Sequence, residues 1–190
     1  MRTLVALEHV SLDGFVSGEH GKMDWIRVDE EMFDYTSRLT ETADTAIYGR
    51  VTYEMMASYW PTAADNPGAS RHDVEHARWV NAATKIVVSR TAPDTSWPGT
   101  RLVSEHVERT LHALKEAPGR DLLLIGSPGL AQTLLRADLV DEFWINLNPV
   151  VLGAGIPLFG PGVPHLDLEL VDSRAFRSGV IGLHYHRTRA

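Results

Sequence analysis

The chain contains no cysteine. Disulfides, thiolate nucleophiles and Cys-ligated zinc are therefore excluded. It has no surplus of positive charge either: 18 Lys and Arg stand against 25 Asp and Glu, a formal net charge of -7. A nucleic-acid-binding face needs clustered Lys and Arg, so that class is set aside. No apolar stretch approaches the length that spans a bilayer. The first apolar run, in MRTLVALEHVSLDG, is broken by Glu8 and His9 and lacks the core and cleavage site of a signal peptide. Internal repeats, low-complexity tracts and linkers are absent. The expectation is one domain, 1–190, cytoplasmic, with neither membrane nor nucleic acid as partner.

Several chemical signatures are missing as well. H-E-x-x-H does not occur, G-x-S-x-G does not occur, and the Rossmann pattern G-x-G-x-x-G does not occur. A zincin, an α/β-hydrolase and a Rossmann dehydrogenase are thereby disfavoured. What is present is an ordinary globular composition, 44% hydrophobic over 190 residues, enough for one well-buried core.

Apolar patterning predicts alternating strands and helices. TLVALEHVSLDGF reads as a strand ending at the Asp13-Gly14 turn, followed by the polar loop VSGEHGKMDWI. VDEEMFDYTSRLTETA predicts a helix with acids in its first turn, where the macrodipole favours them. DTAIYG predicts a strand, RVTYEMMASYW a helix stopped before Pro61, RHDVEHARWVNAA a helix and TKIVVS a strand. TRLVS, VERTLHALKEA and DLLLIG follow as strand, helix and strand, the last apolar on both faces and hence central in a covered sheet. SPGLAQTLLRAD predicts a helix with Ser127 at the N-cap and Pro128 at the first position. LVDEFWINLNPVVL is strand-like, GAGIPLFGPGVP is a Gly/Pro-rich bend, and LDLELVDSRAF with GVIGLHYHRTR predicts a closing antiparallel pair. One α/β domain with a mixed sheet results.

Three of these strands end in residues suited to a phosphate: AIYG-RVT, IVVS-RT and LLLIG-SPGL. If parallel neighbours, they line one edge of the sheet, where α/β folds bind ligands. Gly49, Arg50 and Thr52 bring free N–H groups, a guanidinium and a hydroxyl to one turn. Ser89 and Arg90 place a hydroxyl beside a cation, the sign expected for a 2′-phosphate, which favours NADP over NAD. Gly126 allows close backbone approach, and the helix start at Ser127 offers more N–H groups. The plainer reading, ordinary turns with Arg50 paired to Glu54 one helical turn on, stands beside it.

Taken in order, SLDGFVSG…MDW, IYGRVTYE…YW, KIVVSRT, LLLIGSPGLAQTLL and VDEFWINLNPVVLGAGIPLF resemble the dihydrofolate-reductase-like superfamily. They are most similar to stand-alone relatives of the reductase domain of riboflavin-biosynthesis deaminase-reductases. The resemblance covers nearly the whole chain. It implies a three-layer α/β/α fold with a mixed, mainly parallel eight-stranded sheet, NADPH as cofactor, a small-molecule substrate and a homodimer. Gly49, Arg50 and Thr52 match the element holding the cofactor phosphates, Ser89 and Arg90 the 2′-phosphate side. Gly126, Ser127, Gly129 and Leu130 match the turn near the pyrophosphate and nicotinamide ribose. Asp13 and Phe15 belong to the loop over the nicotinamide, and Trp25 to one side of the substrate pocket. Asp29 and Glu30 lie where folate reductases carry their acid, with N-terminal helix charge as the rival reading. The Leu-Pro pair that precedes that acid is absent from WIRVDEE, which argues against folate itself. The deaminase half is missing, for P-C-x-x-C cannot occur without cysteine.

Two histidine pairs remain, His72/His76 at helical spacing and His184/His186 alternating on a strand. Neither pair has an obvious third ligand in the sequence, so no metal is expected. The reading is an NADPH-dependent reductase acting on a small heterocyclic or imine/carbonyl substrate. The alternative is a nucleotide-binding or regulatory homodimer that keeps the fold without turnover.

Overall fold

The computed structural model describes residues 1–189. Its main sheet has eight strands in the order β5 (Thr100–Val103), β4 (Thr84–Val88), β3 (Ala43–Gly49), β6 (Asp121–Ile125), β1 (Leu4–Ser11), β7 (Glu142–Asn148), β10 (Ile181–Thr188), β9 (Asp167–Ala175). The first six in that order are mutually parallel; β10 runs antiparallel to β7 and β9. This is the mixed, mainly parallel sheet expected, with the apolar DLLLI strand in its interior.

Period-2 alternation makes each inner strand feed two cores. On β6, Leu122 and Leu124 join one cluster while Leu123 and Ile125 join the other. The first cluster takes Leu111 of α4 (Val107–Glu116) and Leu130, Leu134 and Leu135 of α5 (Pro128–Arg136). The second takes Met32, Tyr35 and Leu39 of α1 (Glu30–Thr42), Tyr53 of α2 (Arg50–Ala57) and Val80 of α3 (Arg71–Ala82). Helices thus cover both faces in three layers. No helix of the described residues is long and apolar enough to cross a membrane.

Local chemistry fixes the helix ends. Asp29 caps α1 by accepting from the Met32 N–H at 2.8 Å. Ser70 and Asp73 form a reciprocal capping box at the start of α3. The C-terminus of α3 is closed by Lys85, fully buried, whose Nζ donates to the carbonyls of Val80 at 2.7 Å and Ala83 at 2.8 Å.

Three details depart from the sequence reading. The first loop contains β2 (Phe15–Ser17), paired antiparallel with β8 (Ile156–Pro157) from the Gly/Pro-rich segment. Such short strands carry no period of their own and form only because the chain brings them together. The α2 helix stops at Ala57, short of Trp60; there the Ser58 hydroxyl donates to the Met55 carbonyl at 2.7 Å, offering the backbone an alternative to the helix. Ser127 stands at the N-cap position of α5 but adopts a left-handed backbone, φ 66 and ψ 56, and makes no capping bond to its own helix.

Candidate active site

Strands β4, β3 and β6 are parallel neighbours, so their C-terminal ends share one sheet edge. Beside them the sheet splits. The last pair between β1 and β6 is Leu7 with Ile125, closed by the Gly126 N–H donating to the Leu7 carbonyl at 3.0 Å. Beyond it β6 turns away, while β1 continues beside β7 to Ser11. A cleft opens between β1 and β6 from Glu8 onward. The chain runs out to β5 on one side of β1, returns as β6, and then crosses to β7 on the other. Open α/β sheets bind ligands outside the carboxyl ends of the strands at such reversals.

A cavity of about 860 Å³ occupies this place, a size suited to a cofactor with a small substrate. It reaches both faces of the sheet through the cleft, touching Val16 and Leu130 of one core and Met32 and Leu123 of the other. Of the residues anticipated from sequence, Gly49, Arg50, Thr52, Gly126, Ser127, Gly129 and Leu130 line it. Two helix N-termini meet here. The Gly49 N–H, at the N-cap of α2, donates to Ser127 Oγ at 2.9 Å, and that hydroxyl donates onward to the Ile125 carbonyl at 3.2 Å. Neither α2 nor α5 has a side-chain cap, and their first-turn residues, 50–52 and 128–130, line the cavity; the N–H groups there, Pro128 having none, lack an intrahelical acceptor. Gly126 takes φ +53, and a methyl group at Gly129 would meet nothing within 4 Å. The turn therefore has open space beside Gly129.

The other anticipated residues stand elsewhere. Arg50 lines the cavity but spends its guanidinium on Glu54, Nη1 to Oε2 at 2.8 Å, the i,i+4 pairing that the sequence allowed. Ser89 and Arg90 follow β4 outside the cavity lining; the Ser89 hydroxyl closes a local turn on the Thr91 carbonyl at 2.6 Å, and Arg90 is exposed. Asp13 latches two loops together. Its carboxylate accepts from Ser11 Oγ at 2.7 Å and from the Gly153 N–H at 2.7 Å, contacts led by Ser11 that lower its pKa to about 2. Phe15 pairs with Pro157 in the small sheet, and the Trp25 indole donates to the Lys22 carbonyl at 3.1 Å. From this first loop it is Val16, Ser17, Gly21, Met23 and Ile26 that reach the cavity.

The acids at the start of α1 are not brought to the cavity. Asp29 uses one oxygen on the Met32 N–H and the other on the Ser178 N–H, both at 2.8 Å, and Glu30 is exposed. Of the three carboxyls that line the cavity, Glu41 and Glu75 are exposed, while Glu8 is 1% exposed with neither oxygen hydrogen-bonded to protein. Burial raises its pKa to about 8, so it keeps its proton at neutral pH. Four further lining residues carry buried polar atoms without a protein partner: His9 Nδ1, Ser17 Oγ, His76 Nε2 and Asn146 Nδ2. His9 and Asn146 are register partners on β1 and β7. Burial lowers the pKa of His9 to about 4 and of His76 to about 3, leaving both imidazoles neutral. Most buried polar groups find a partner, so five such residues around one cavity make it the candidate site. Tyr35 and Trp144 show that unpartnered atoms also occur elsewhere in the core.

None of these five was anticipated as part of this site. The available signal was Glu8-His9 itself, a charged and a polar residue inside an otherwise apolar strand, a placement that is costly without a purpose. Between α1, α2 and α3 the cavity wall is aromatic: Phe33 stacks on His72 at 3.8 Å between centroids, and Trp60 packs on His76 at 4.2 Å.

A three-layer sheet with a split at the strand ends and two joined helix N-termini defines the class, a dihydrofolate-reductase-like α/β protein. Within that class the chain belongs to the RibD C-terminal domain family, whose model matches residues 2–182. It is 35% identical over 179 residues to the uncharacterised protein YyaP of Bacillus subtilis, covering 93% of this chain and 90% of that one. Among solved structures it resembles a pyrimidine reductase-like protein from Corynebacterium diphtheriae, with TM-score 0.73, 13% identity and coverage of 100% and 93%. It also resembles the dihydrofolate reductase of Enterococcus faecalis complexed with NADP(H), with TM-score 0.59, 20% identity and coverage of 98% and 97%. Family and fold are those of reductases.

Proposed function

We propose that this chain is an NADPH-dependent reductase that transfers a hydride to a small heterocyclic or imine/carbonyl substrate. One observation carries the reading: a buried, protonated Glu8 borders the same cavity as the joined, uncapped N-termini of α2 and α5. Those helix ends suit phosphate oxygens, and the glycines at 126 and 129 leave room for the backbone to approach them. When bound, the nicotinamide would supply the hydride.

The chain's own residues do the rest. N–H groups of the first turns of α2 and α5 would hold the phosphates, with Arg50 and Arg90 as the cations near that edge. The first loop, latched by Asp13, shields the reacting atoms from water. Phe33, Trp60, His72 and His76 offer flat faces to a ring. Glu8 gives its proton to the substrate nitrogen or oxygen as the adjacent carbon gains hydride, so the double bond is reduced by one hydride and one proton. Its carboxylate is then reprotonated from solvent. A cytoplasmic homodimer belongs to the same proposal; the edge strand β9 leaves Leu170 and Val171 about half exposed, and light scattering tests the dimer.

The deciding experiment is calorimetric titration of the purified protein with NADPH and NADH, followed by a substrate panel read as loss of NADPH absorbance. Tight binding that favours NADPH, with turnover of a carbonyl or cyclic imine, is expected. Binding without turnover of any substrate returns the chain to the non-catalytic alternative. Absence of binding by either nucleotide overturns both.

A further inference from the structure

The HYH stretch of β10 lies at the other end of the sheet. Alternation puts His184 and His186 on one face, and the β7–β10 register sets His186 opposite Glu142. Glu142 thereby becomes the third ligand that the sequence did not reveal. Its Oε2 lies 2.9 Å from His184 Nε2 and its Oε1 3.2 Å from His186 Nε2. One ligand atom from each residue falls within 4.8 Å of the others, the only such set of three His, Cys, Asp or Glu among the described residues.

We propose that Glu142, His184 and His186 bind one divalent transition cation of the zinc class. Ligands around a tetrahedral ion at its usual bond lengths sit about 3.4 Å apart, and the carboxylate lies 2.9 and 3.2 Å from the two imidazoles, with the three ligand atoms all within 4.8 Å. Two imidazoles and a carboxylate form a donor set for zinc or cobalt, with a coordination position left for water. The site is built rather than incidental to the surface. His184 packs on Trp144 at 4.5 Å between centroids, which fixes its ring, and its side chain is 12% exposed. The neighbouring cation, Arg38, is directed elsewhere, over the Trp144 ring and onto Asp172 at 3.2 Å. Across β10 the register sets Glu169 of β9 opposite His186, an exposed carboxylate on the same face. The rival account is that Glu142 simply accepts a proton-mediated bond from each imidazole. That needs N–H on both Nε2 atoms, whereas a metal needs their lone pairs.

The test is titration of the full, untagged chain with zinc chloride at pH 7.5 by calorimetry, repeated with cobalt chloride and read by visible absorption. One equivalent should bind, with cobalt bands of low-coordinate geometry and a raised melting temperature. His186→Ala and Glu142→Gln should each weaken zinc by at least about 10–100-fold, the cost seen even for outer-shell changes. His184→Ala is read only if its circular dichroism matches the parent; His186, half exposed, keeps the test valid otherwise. Failure to bind zinc at 0.1 mM, a concentration of about 10⁻⁴ M that a weak three-ligand site should still fill, overturns the proposal. Binding unchanged in His186→Ala and Glu142→Gln overturns it equally.

Discussion

The N–H of Gly49 donates to Ser127 Oγ at 2.9 Å across 78 positions of sequence. This bond joins the ends of β3 and β6 and sets two helix N-termini side by side. It also explains the left-handed backbone of Ser127, a conformation costing about 1–2 kcal/mol in a non-glycine residue. In that conformation the hydroxyl faces the neighbouring strand end instead of its own helix.

Removing the hydroxyl leaves the Gly49 N–H without its acceptor. Ser127→Ala should lower stability by about 1–3 kcal/mol, read from urea denaturation. It should also weaken NADPH and NADH alike, since both use the phosphate grip. Unchanged stability would show that the bond is dispensable.

Glu8 sets a pH dependence of definite sign. Its pKa rises from 4.5 to about 8 on folding, so the native state binds the extra proton. Stability from this group is full below the unfolded value and declines as pH rises toward 8, by up to about 1.4 kcal/mol per unit. Glu8→Gln should flatten that decline in unfolding measured from pH 5 to pH 9. With a substrate in hand, the same variant should lose about 10²–10⁴-fold in turnover, and the parent's rate should fall above pH 8.

His76 acts in the opposite direction. Its pKa falls from 6.5 to about 3 on folding, so the unfolded chain binds the extra proton as the solution is acidified. The native state loses stability as pH drops below 6.5, again by up to about 1.4 kcal/mol per unit. His76→Phe, which keeps a ring against Trp60, should unfold at a lower pH than the parent in an acid titration followed by tryptophan fluorescence.

Gly155 permits a close crossing. A Cβ there would lie 2.0 Å from the Ser17 carbonyl oxygen, and its φ is +147. Gly155→Ala must push β8 off β2 and should cost at least about 2 kcal/mol, seen as a lowered melting temperature. Because Val16, Ser17 and Ile156 line the cavity, cofactor affinity should fall with it.

Arg90 tests the 2′-phosphate assignment. Arg90→Ala should weaken NADPH by about 1.5–3 kcal/mol and leave NADH nearly unchanged in calorimetry. Equal weakening would remove Arg90 from that role and leave Arg50, once freed from Glu54, as the cation at this edge.

Much of this protein was legible from sequence because the signals are local. The apolar DLLLI run, the Pro128 helix start and the i,i+4 spacing of Arg50 and Glu54 each act within a few residues. The order of those elements was enough for the α/β class and for three strand ends on one edge. The candidate site was only half legible. Its backbone-lined part, Gly49, Gly126 and Gly129, follows from turn chemistry. Its side-chain part does not, because Asp29 and Glu8 look alike as carboxylates until burial separates them. One finds two backbone N–H groups; the other finds no partner at all.

The sequence by itself determined where the main strands and helices run, β2, β8 and the end of α2 apart, since hydrophobic period and caps are properties of neighbouring residues. Only the tertiary structure decided that β6 leaves β1 at Leu7, that Ser127 reaches Gly49, and that Glu142 stands beside His184 and His186. Those outcomes depend on strand order and register, which bring together residues far apart in the chain and fix which polar groups lose water.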